Sequence, residues 1–317
     1  MPVRRVTLDE IAQAAGVSVP MVSRVLNGRG HVSPPKRELI QDLLRQHSYQ
    51  PRKARKRTAA GLIHVVFEEI DCAVELEHLR GMEPVARDAG VGLVVTAAPR
   101  YIPGPTDGVV LVATGGSPRL TADLDRRGVP AVALDPTARV LSAPTVGAAN
   151  WSGARAATAH LLELGHRRLA MISGSLELLG SRMRCDGFRS LAGDSAVVER
   201  GEFTYASGLS AGLRLLDRAD RPTAIFAASD DLALGVYEAA RRLGLRVPDD
   251  ISVVGFDDVP AARWASPPLT TVRQPLRDMG RLAADTVLRL AHGEAPDSEN
   301  MELGTHLIVR ASTAPAI

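Results

Sequence analysis

The stretch from residue 61 to residue 257 alternates short apolar runs with segments of helical periodicity. The apolar runs, such as LIHVVF at 62–67 and ISVVGF at 251–256, consist mostly of Val, Ile and Leu. Strands that are apolar on both faces belong to parallel sheets that helices cover on both sides. The pattern predicts an α/β core, and because it is too long for one small sheet we expect two doubly wound parallel-sheet subdomains.

The predicted elements fall into two groups that divide near Asn150. Strands are predicted at 62–67, 91–97, 108–113, 131–134, 168–173, 197–203, 224–228 and 251–256, and helices at 74–89, 120–127, 151–164, 181–191, 207–217 and 230–243. The tail adds a helix at 275–291 and a strand at 305–309, which we expect to return to the first subdomain. The first subdomain is therefore expected to cover residues 61–150 with part of 275–317, and the second residues 151–274.

A different pattern, TLDEIAQAAGVSVPMVSRVLN, precedes this core. Thr7 and Glu10 have the spacing of a capping box, and Gly16 suits the left-handed position that ends a helix. Ser18 can cap a second helix that has Pro20 in its first turn. Two short helices joined in this way are typical of a helix-turn-helix, whose second helix lies in the DNA major groove. A plain helical hairpin on the protein surface is the alternative.

The charge distribution favours the DNA-binding alternative. Residues 1–60 carry 12 Lys/Arg against 4 Asp/Glu, whereas the remaining residues carry 26 against 32. A basic N-terminal segment on an acidic body indicates a polyanionic partner for that segment alone. A third helix follows Ser33, with an apolar stripe formed by Leu39, Ile40, Leu43 and Leu44. The run RKARKR at 52–57 predicts a linker that either contacts DNA or is merely solvated. We expect a headpiece at 1–50, a basic linker at 51–60 and the core at 61–317.

Polar side chains follow several predicted strands, where the clefts of doubly wound sheets lie. Carboxylates and an arginine offer directional hydrogen bonds to the hydroxyls of a polyhydroxylated ligand, and a tryptophan offers an apolar face to a sugar ring. Capping of the following helix is the alternative role for Asp230, Asp257 and Asp258. The candidate ligand-binding residues are Asp71, Asp135, Arg184, Ser229, Asp230, Asp257, Asp258 and Trp264.

Other classes of protein find little support in the sequence. No dinucleotide-binding or phosphate-binding glycine motif and no nucleophile elbow is present, and the eight histidines have no metal-ligand spacing. We therefore predict no catalytic residue, metal or cofactor. The chain has no apolar run of membrane-spanning length, and MPVRRVTLDE is not a secretory signal. The two cysteines, Cys72 and Cys185, have the pattern of reduced thiols, which leads us to expect a cytoplasmic protein.

Several long motifs, in order, resemble the LacI/GalR family of bacterial transcription regulators. The helix-turn-helix motif and VSPPKRELIQDLLRQHSYQP are similar to the family's headpiece. LLELGHRRLAMISG, RPTAIFAASDDLALGVYEAARRLGLRVPDDISVVGFDD and PPLTTVRQPL are similar to its ligand-binding core. The resemblance implies an N-terminal all-α headpiece on a periplasmic-binding-protein-like core. It also implies a homodimer, a palindromic double-stranded DNA operator and a small effector, usually a sugar, with no membrane partner.

The resemblance also assigns roles to individual residues. Val19, Pro20 and Arg24 would face bases, with Arg24 suited to bidentate readout of guanine. Phosphate contacts would come from Thr7, Ser18, Ser23, Asn27, His31 and Tyr49. Effector contacts would come from Asp71, Asp135, Arg184, Ser229, Asp257, Trp264 and Gln274.

Three departures from the family pattern concern the linker and the cleft. Arg57 stands where the family's hinge has a leucine, and we predict that it enters the minor groove instead. Nine residues, 99–107, separate the second and third strands, too few for the usual crossover helix. The link at 192–195 is also short. These departures leave open a regulator with a degenerate cleft. The sequence also leaves open a sugar-binding transport protein and a sugar-acting enzyme.

Overall fold

The chain forms two compact units, Met1–Thr58 and Ala59–Ile317. The computed structural model describes residues 8–18, 21–22, 25, 32–46, 60–68, 70, 73–97, 101–113, 118–137, 143–193 and 196–316. The linker predicted at 51–60 lies outside these residues except for its last one.

The N-terminal unit contains helices α1 (Leu8–Ala15) and α2 (Pro34–Gln46), and residues 21, 22 and 25 are also helical. Gly16 ends α1 with a φ of +63°, as the sequence predicts. Its N–H donates to the Gln13 carbonyl at 3.2 Å, and the Val17 N–H donates to the Ala12 carbonyl at 3.0 Å. This pair of bonds is the Schellman arrangement, which satisfies carbonyls that the helix leaves unpaired.

A small apolar core joins these helices. Leu39 was expected in the apolar stripe of α2, but 46% of its surface is exposed, whereas Leu43 and Leu44 are partly buried. Burial of branched side chains from three helical segments is what stabilises so small a unit, because short helices are marginal in isolation. The buried residues of this core are Ile11, Ala12, Val22, Val25, Val32 and Ile40.

The C-terminal unit alternates strands and helices along the chain. Its strands are β1 (Leu62–Phe67), β2 (Gly92–Ala97), β3 (Gly108–Val112), β4 (Ala131–Leu134), β5 (Thr145–Ala148), β6 (Leu169–Ser173), β7 (Val197–Arg200), β8 (Ala224–Ala227), β9 (Ser252–Asp257), β10 (Thr270–Arg273), β11 (Asn300–Leu303) and β12 (His306–Ile308). Its helices are α3 (Ala73–Asp88), α4 (Pro118–Arg127), α5 (Asn150–Glu163), α6 (Leu179–Ala192), α7 (Tyr205–Leu216), α8 (Asp230–Arg242), α9 (Pro260–Trp264) and α10 (Leu276–Ala291).

The strands form two six-stranded sheets, each the centre of one subdomain. The first has the order β11-β5-β4-β3-β1-β2 and is parallel throughout. The second has the order β12-β10-β9-β8-β6-β7, and only the β10–β12 pair is antiparallel. The predicted pair of doubly wound sheets is therefore present. Helices cover both sheets, and their apolar cores include Val110 in the first and Phe226 in the second.

The tail of the chain is divided between the two sheets. Helix α10 returns to the first sheet as expected and buries Met279, Ala283 and Val287 against it. The strand predicted at 305–309 does not return with it. Strand β12 instead pairs with β10 in the second sheet, and β11 supplies the first sheet's added strand. Strands β5, β10 and β11 escape sequence prediction because each has only four residues and includes polar ones.

The crossover from β2 to β3 passes over β1 without a helix among its described residues, 101–107. Ile102, 1% exposed, takes the place of a helix and packs with Val66, Val109 and Leu120. The Arg127 guanidinium holds this loop by donating to the Ile102 carbonyl at 2.8 Å and the Gly104 carbonyl at 2.5 Å. The shortened crossover predicted from the sequence is therefore confirmed, and it leaves the face of the first sheet packed at this point.

Candidate functional site

Backbone strain marks the carboxyl ends of strands in both sheets. The φ angles of Asp135 (+48°), Asp257 (+111°) and Asp258 (+56°) are positive, as is that of Ala113 (+49°). Each of these residues ends a strand or directly follows one. Such conformations are unfavourable for residues with a Cβ and persist where the surrounding structure imposes them, often at binding sites. The carboxylates predicted to face a cleft therefore lie at the strand ends where parallel sheets bind ligands.

Arg184 on α6 is the centre of a polar cluster between the subdomains. Its Nε donates to Asn150 Oδ1 at 2.7 Å and its Nη1 to the Ala228 carbonyl at 2.5 Å, while Asp257 Oδ1 lies 3.4 Å from Nη1. The guanidinium carbon lies 3.8 Å from the centre of the Phe256 ring, in cation–π geometry. Because only 7% of Arg184 is exposed, these contacts fix a charged group that would otherwise be costly to bury.

Asp257 is bound by a residue of α6 and by a residue of the segment that follows β10. Its Oδ1 accepts a hydrogen bond of 2.6 Å from Gln274 Nε2, in addition to its ion pair with Arg184. Burial raises the pKa of Asp257 to about 7, although Arg184 and the Gln274 hydrogen bond oppose the rise. Burial thus favours the protonated form of this carboxyl more than in an exposed aspartate. Gln274 is 5% exposed, and the structure thus unites three of the predicted effector residues.

Asp135 approaches the same cluster from the first subdomain. Burial raises its pKa to about 6, and the nearby positive charge of Arg184 opposes the rise. Its carboxylate is 24% exposed and lies 3.8 Å from Nε2 of His78, a buried residue of α3. The residues around Asp135 and Arg184 therefore include carboxylate, guanidinium, amide and imidazole groups. This mixture of donors and acceptors suits a ligand that carries several hydroxyl groups.

Sequence reasoning missed His78, Asn150, Phe203 and Phe256 as parts of this cluster. Asn150 begins α5 at the point where the chain passes between subdomains, and this position was the available signal. The Phe203 ring centre lies 5.7 Å from the Arg184 guanidinium carbon. His78 gave no signal, because a single histidine on a helix is indistinguishable from a core residue until its neighbours are known.

Three predicted residues have other surroundings. Ser229 caps α8 and accepts a hydrogen bond of 3.2 Å from the Leu232 N–H. The expectation that Asp230 caps this helix is wrong, because its buried carboxylate accepts from the Val259 N–H at 2.9 Å and the Thr271 hydroxyl at 2.5 Å. Trp264 does not join the cluster, since it is 80% exposed at the end of α9. Asp71 lies outside the described residues.

Asp258 is enclosed by arginines rather than by the cleft. Only 1% of its side chain is exposed, and it lies 2.6 Å from Arg273 Nε and 2.5 Å from Arg310 Nη2. Arg263 Nη2 is 3.9 Å away. These contacts join α9, β10 and the C-terminal tail. The capping role that the sequence offered for Asp258 is therefore not the one it has.

The candidate DNA-binding residues belong to the N-terminal unit, of which the structure describes part. Ser18 is exposed, and its carbonyl accepts a 2.9 Å hydrogen bond from the Met21 N–H at the start of the second helical segment. This position is where the sequence places the cap of the recognition helix. The remaining candidates lie outside the described residues; they are Thr7, Val19, Pro20, Ser23, Arg24, Asn27, His31, Tyr49 and Arg57.

The described residues add neither a metal site nor a membrane span to these two sites. In the described part of the chain, no group of three or more His, Cys, Asp and Glu side chains could hold a metal ion. Within the same residues, no helix combines the length and apolar character needed to cross a bilayer.

Comparison with known families identifies both units. Residues 7–52 match the family model "Bacterial regulatory proteins, lacI family", and residues 158–313 match "Periplasmic binding protein-like domain". The HTH-type transcriptional regulator CelR of Thermobifida fusca is 36% identical, with 98% of each chain covered. The chain belongs to the LacI family of bacterial transcriptional regulators. The HTH-type transcriptional repressor CytR of Escherichia coli (strain K12) is another relative, 31% identical over 97% of this chain and 96% of CytR.

Solved structures of LacI-family proteins have the same fold. A CelR–cellobiose complex matches with a TM-score of 0.72 at 33% identity, covering 97% of this chain and 100% of that chain. A lac repressor dimer bound to operator and the anti-inducer ONPF matches with a TM-score of 0.71 at 28% identity, over 98% and 100%. These relatives are regulators of transcription rather than enzymes. The headpiece and two-sheet core predicted from the sequence are thereby confirmed.

Proposed function

We propose that this LacI-family regulator is a repressor that binds a near-palindromic operator as a homodimer and responds to a small polyhydroxylated effector, a sugar, in the cleft. The observation that carries the effector part is the cluster of Asp135, Arg184, Asp257 and Gln274, to which both subdomains contribute. A ligand held by both sheets favours one placement of the subdomains over another. The effector then changes operator affinity by its differential affinity for the two placements.

The segments that connect the subdomains support a change of this kind. The Ala149 N–H donates to the Leu303 carbonyl at 2.8 Å, and the Thr305 hydroxyl donates to the Ala149 carbonyl at 3.2 Å. A third segment runs from β10 to α10 through Gln274 and Pro275. Short segments that are bonded to each other can rotate as one hinge. Because Gln274 belongs to a connecting segment and also binds Asp257, closure of the cleft and rotation at the hinge are linked.

We propose the base contacts for Val19, Pro20 and Arg24, and phosphate contacts for Thr7, Ser18, Ser23, Asn27, His31 and Tyr49. Asp71 and Ser229 remain proposed effector contacts. The regulator would act in the cytoplasm, where the bacterial chromosome lies. Whether the effector releases the operator or strengthens its binding depends on which placement of the subdomains it favours. Both outcomes are compatible with this cluster.

The test is a footprint of the purified protein on its own upstream DNA, titrated with salt and then with cellobiose, ribose and glucose. We expect a protected site with near two-fold symmetry, whose affinity changes when one sugar is added. Arg24→Ala should weaken the protein's contact with one base position in each half-site. Arg87→Ala, which changes an exposed ion-pair residue of α3, should leave that contact unchanged. A symmetric footprint that no sugar changes would contradict the effector proposal and favour a degenerate cleft. A footprint lacking symmetry would contradict the homodimer.

A further inference from the structure

His78 is held at the cleft by the packing of two helices. Its backbone belongs to α3, and α10 packs so closely that a Cβ at Gly280 would lie 2.2 Å from the His78 carbonyl oxygen. The side chain is 1% exposed. Its Nε2 lies 3.8 Å from Asp135 Oδ2, beyond hydrogen-bond distance. The position of the ring relative to Asp135 is therefore set by the helix pair and the first sheet.

The imidazole of His78 has polar groups that nothing described satisfies. Among the residues that the structure describes, neither Nδ1 nor Nε2 has a hydrogen-bond partner. Buried polar atoms are nearly always paired, and a leucine or methionine would fill such a site without leaving polar atoms unsatisfied. A core role alone does not account for a histidine here. Its neighbour Asp135, by contrast, is partly exposed and so can be reached from the cleft.

We propose that His78 and Asp135 together bind one hydroxyl group of the effector, and that the effector is an uncharged, unphosphorylated polyol. This inference rests on the proposed effector function. A hydroxyl can accept a hydrogen bond from an imidazole N–H and donate one to a carboxylate at the same time. Two atoms 3.8 Å apart can both lie at hydrogen-bond distance from a single oxygen. A hydroxyl that reaches Asp135 from the cleft contacts Nε2, which is fully buried in this structure, once the side chains that cover the ring shift. A carboxylate or phosphate oxygen lacks the donor, and an ammonium group lacks the acceptor.

The net charge of the cluster also disfavours an anionic effector. Within the cluster of Asp135, Arg184, Asp257 and Gln274 the one cation is Arg184, and Asn150, the Ala228 carbonyl and Asp257 already engage its guanidinium. The neighbouring Arg182 donates to the Thr137, Leu176 and Glu177 carbonyls. Burial lowers the pKa of His78 to about 4, so the ring is neutral at physiological pH and does not attract an anion. Asp135 and Asp257 contribute carboxylates. A phosphorylated sugar would therefore meet negative charge without a free cation among these residues.

The experiment is calorimetric titration of the full-length protein with glucose, ribose and cellobiose, and with glucose 6-phosphate and ribose 5-phosphate. For the sugar that binds, we expect His78→Leu to weaken affinity roughly tenfold, as the loss of one buried hydrogen bond predicts. His78→Gln, which keeps a donor and an acceptor, should bind more tightly than His78→Leu. Glu83→Gln, an exposed change on the same helix, should have no effect.

Deoxy analogues of that sugar identify the hydroxyl without relying on one variant. The analogue that binds the wild type most weakly lacks the hydroxyl that His78 contacts. It should bind His78→Leu as tightly as it binds the wild type, because both changes remove the same contact. Operator binding without sugar reports whether each variant folds; if His78→Leu does not fold, His78→Gln and the analogues decide. Equal sugar affinity in the wild type and His78→Leu overturns this inference alone. Tighter binding of a sugar phosphate than of its parent also overturns it. A wild type that binds none of the sugars overturns the proposed effector, and this inference with it.

Discussion

Replacement of His78 by leucine should remove a pH-dependent contribution to the stability of the core. Burial lowers the pKa of His78 from 6.5 to about 4. Between these values the unfolded chain binds a proton that the folded chain does not, so stability is lost as the pH falls through this window. A shift of this size corresponds to about 3 kcal/mol when complete, and to about 2 kcal/mol at pH 5. Above the unfolded pKa the contribution disappears.

The assay is urea unfolding at a series of pH values from 7.5 to 5, followed by tryptophan fluorescence. Both tryptophans, Trp151 and Trp264, lie in the C-terminal unit, so the signal reports the unfolding of the core. His78→Leu should gain about 2 kcal/mol relative to the wild type between pH 7.5 and pH 5. His306→Leu, at an exposed strand residue, is the control and should show no such gain.

Other titrating groups act in the opposite direction in both proteins. Burial raises the pKa values of Asp135 to about 6 and of Asp257 to about 7, so their protonated forms stabilise the fold at low pH and that contribution is lost as the pH rises through these values. Both carboxyls are present in both proteins. Glu77 is the charged neighbour that opposes the fall in the pKa of His78. Parallel stability curves for the wild type and His78→Leu would refute the reasoning, because they would mean that His78 titrates alike in the folded and unfolded chains.

Three further predictions concern packing, a buried carboxylate and the linker. Gly81→Ala should lower core stability by about 1–3 kcal/mol in urea unfolding, because its Cβ would lie 1.9 Å from the Arg277 carbonyl oxygen; Gly304→Ala, with nothing within 4 Å, is the control, and equal losses would contradict the close approach. Asp230→Ala should cost about 1–3 kcal/mol for each of the two buried donors it leaves unpaired; a loss no larger than that of exposed Asp278→Ala would argue against these bonds. Arg57→Ala should reduce operator affinity and lower the salt slope by about one in filter-binding titrations, and an unchanged slope would exclude its DNA contact.

The shortened crossover shows what the number of residues between two strands can predict about their connection. Nine residues with three prolines excluded a helix between β2 and β3, and the described part of that loop contains none. The sequence did not show that Ile102 would fill the gap or that Arg127 would hold the loop. The bond from Arg127 to the Ile102 carbonyl joins residues 25 positions apart, and no local pattern encodes it.

Local chemistry in the sequence was enough to determine most helices, most strands and the α/β class. These signals are local: periodicities of 2 and 3.6 residues, a glycine with a positive φ, and the proline that begins α2. Each acts within one or two turns of chain, so it can be recognised without knowledge of the tertiary structure. The long motifs were specific enough to identify the family. The helix-turn-helix and the acidic, strand-end positions of Asp135 and Asp257 were therefore predictable.

Only the tertiary structure decided which groups meet at the cleft. It placed β12 in the second sheet and β11 in the first, although the two strands are separated by two residues of chain. It also gave the capping role to Ser229 rather than Asp230, and it brought His78 beside Asp135. Each of these outcomes depends on residues far apart in sequence, whose proximity follows from how helices pack on sheets and not from any property of the local segment.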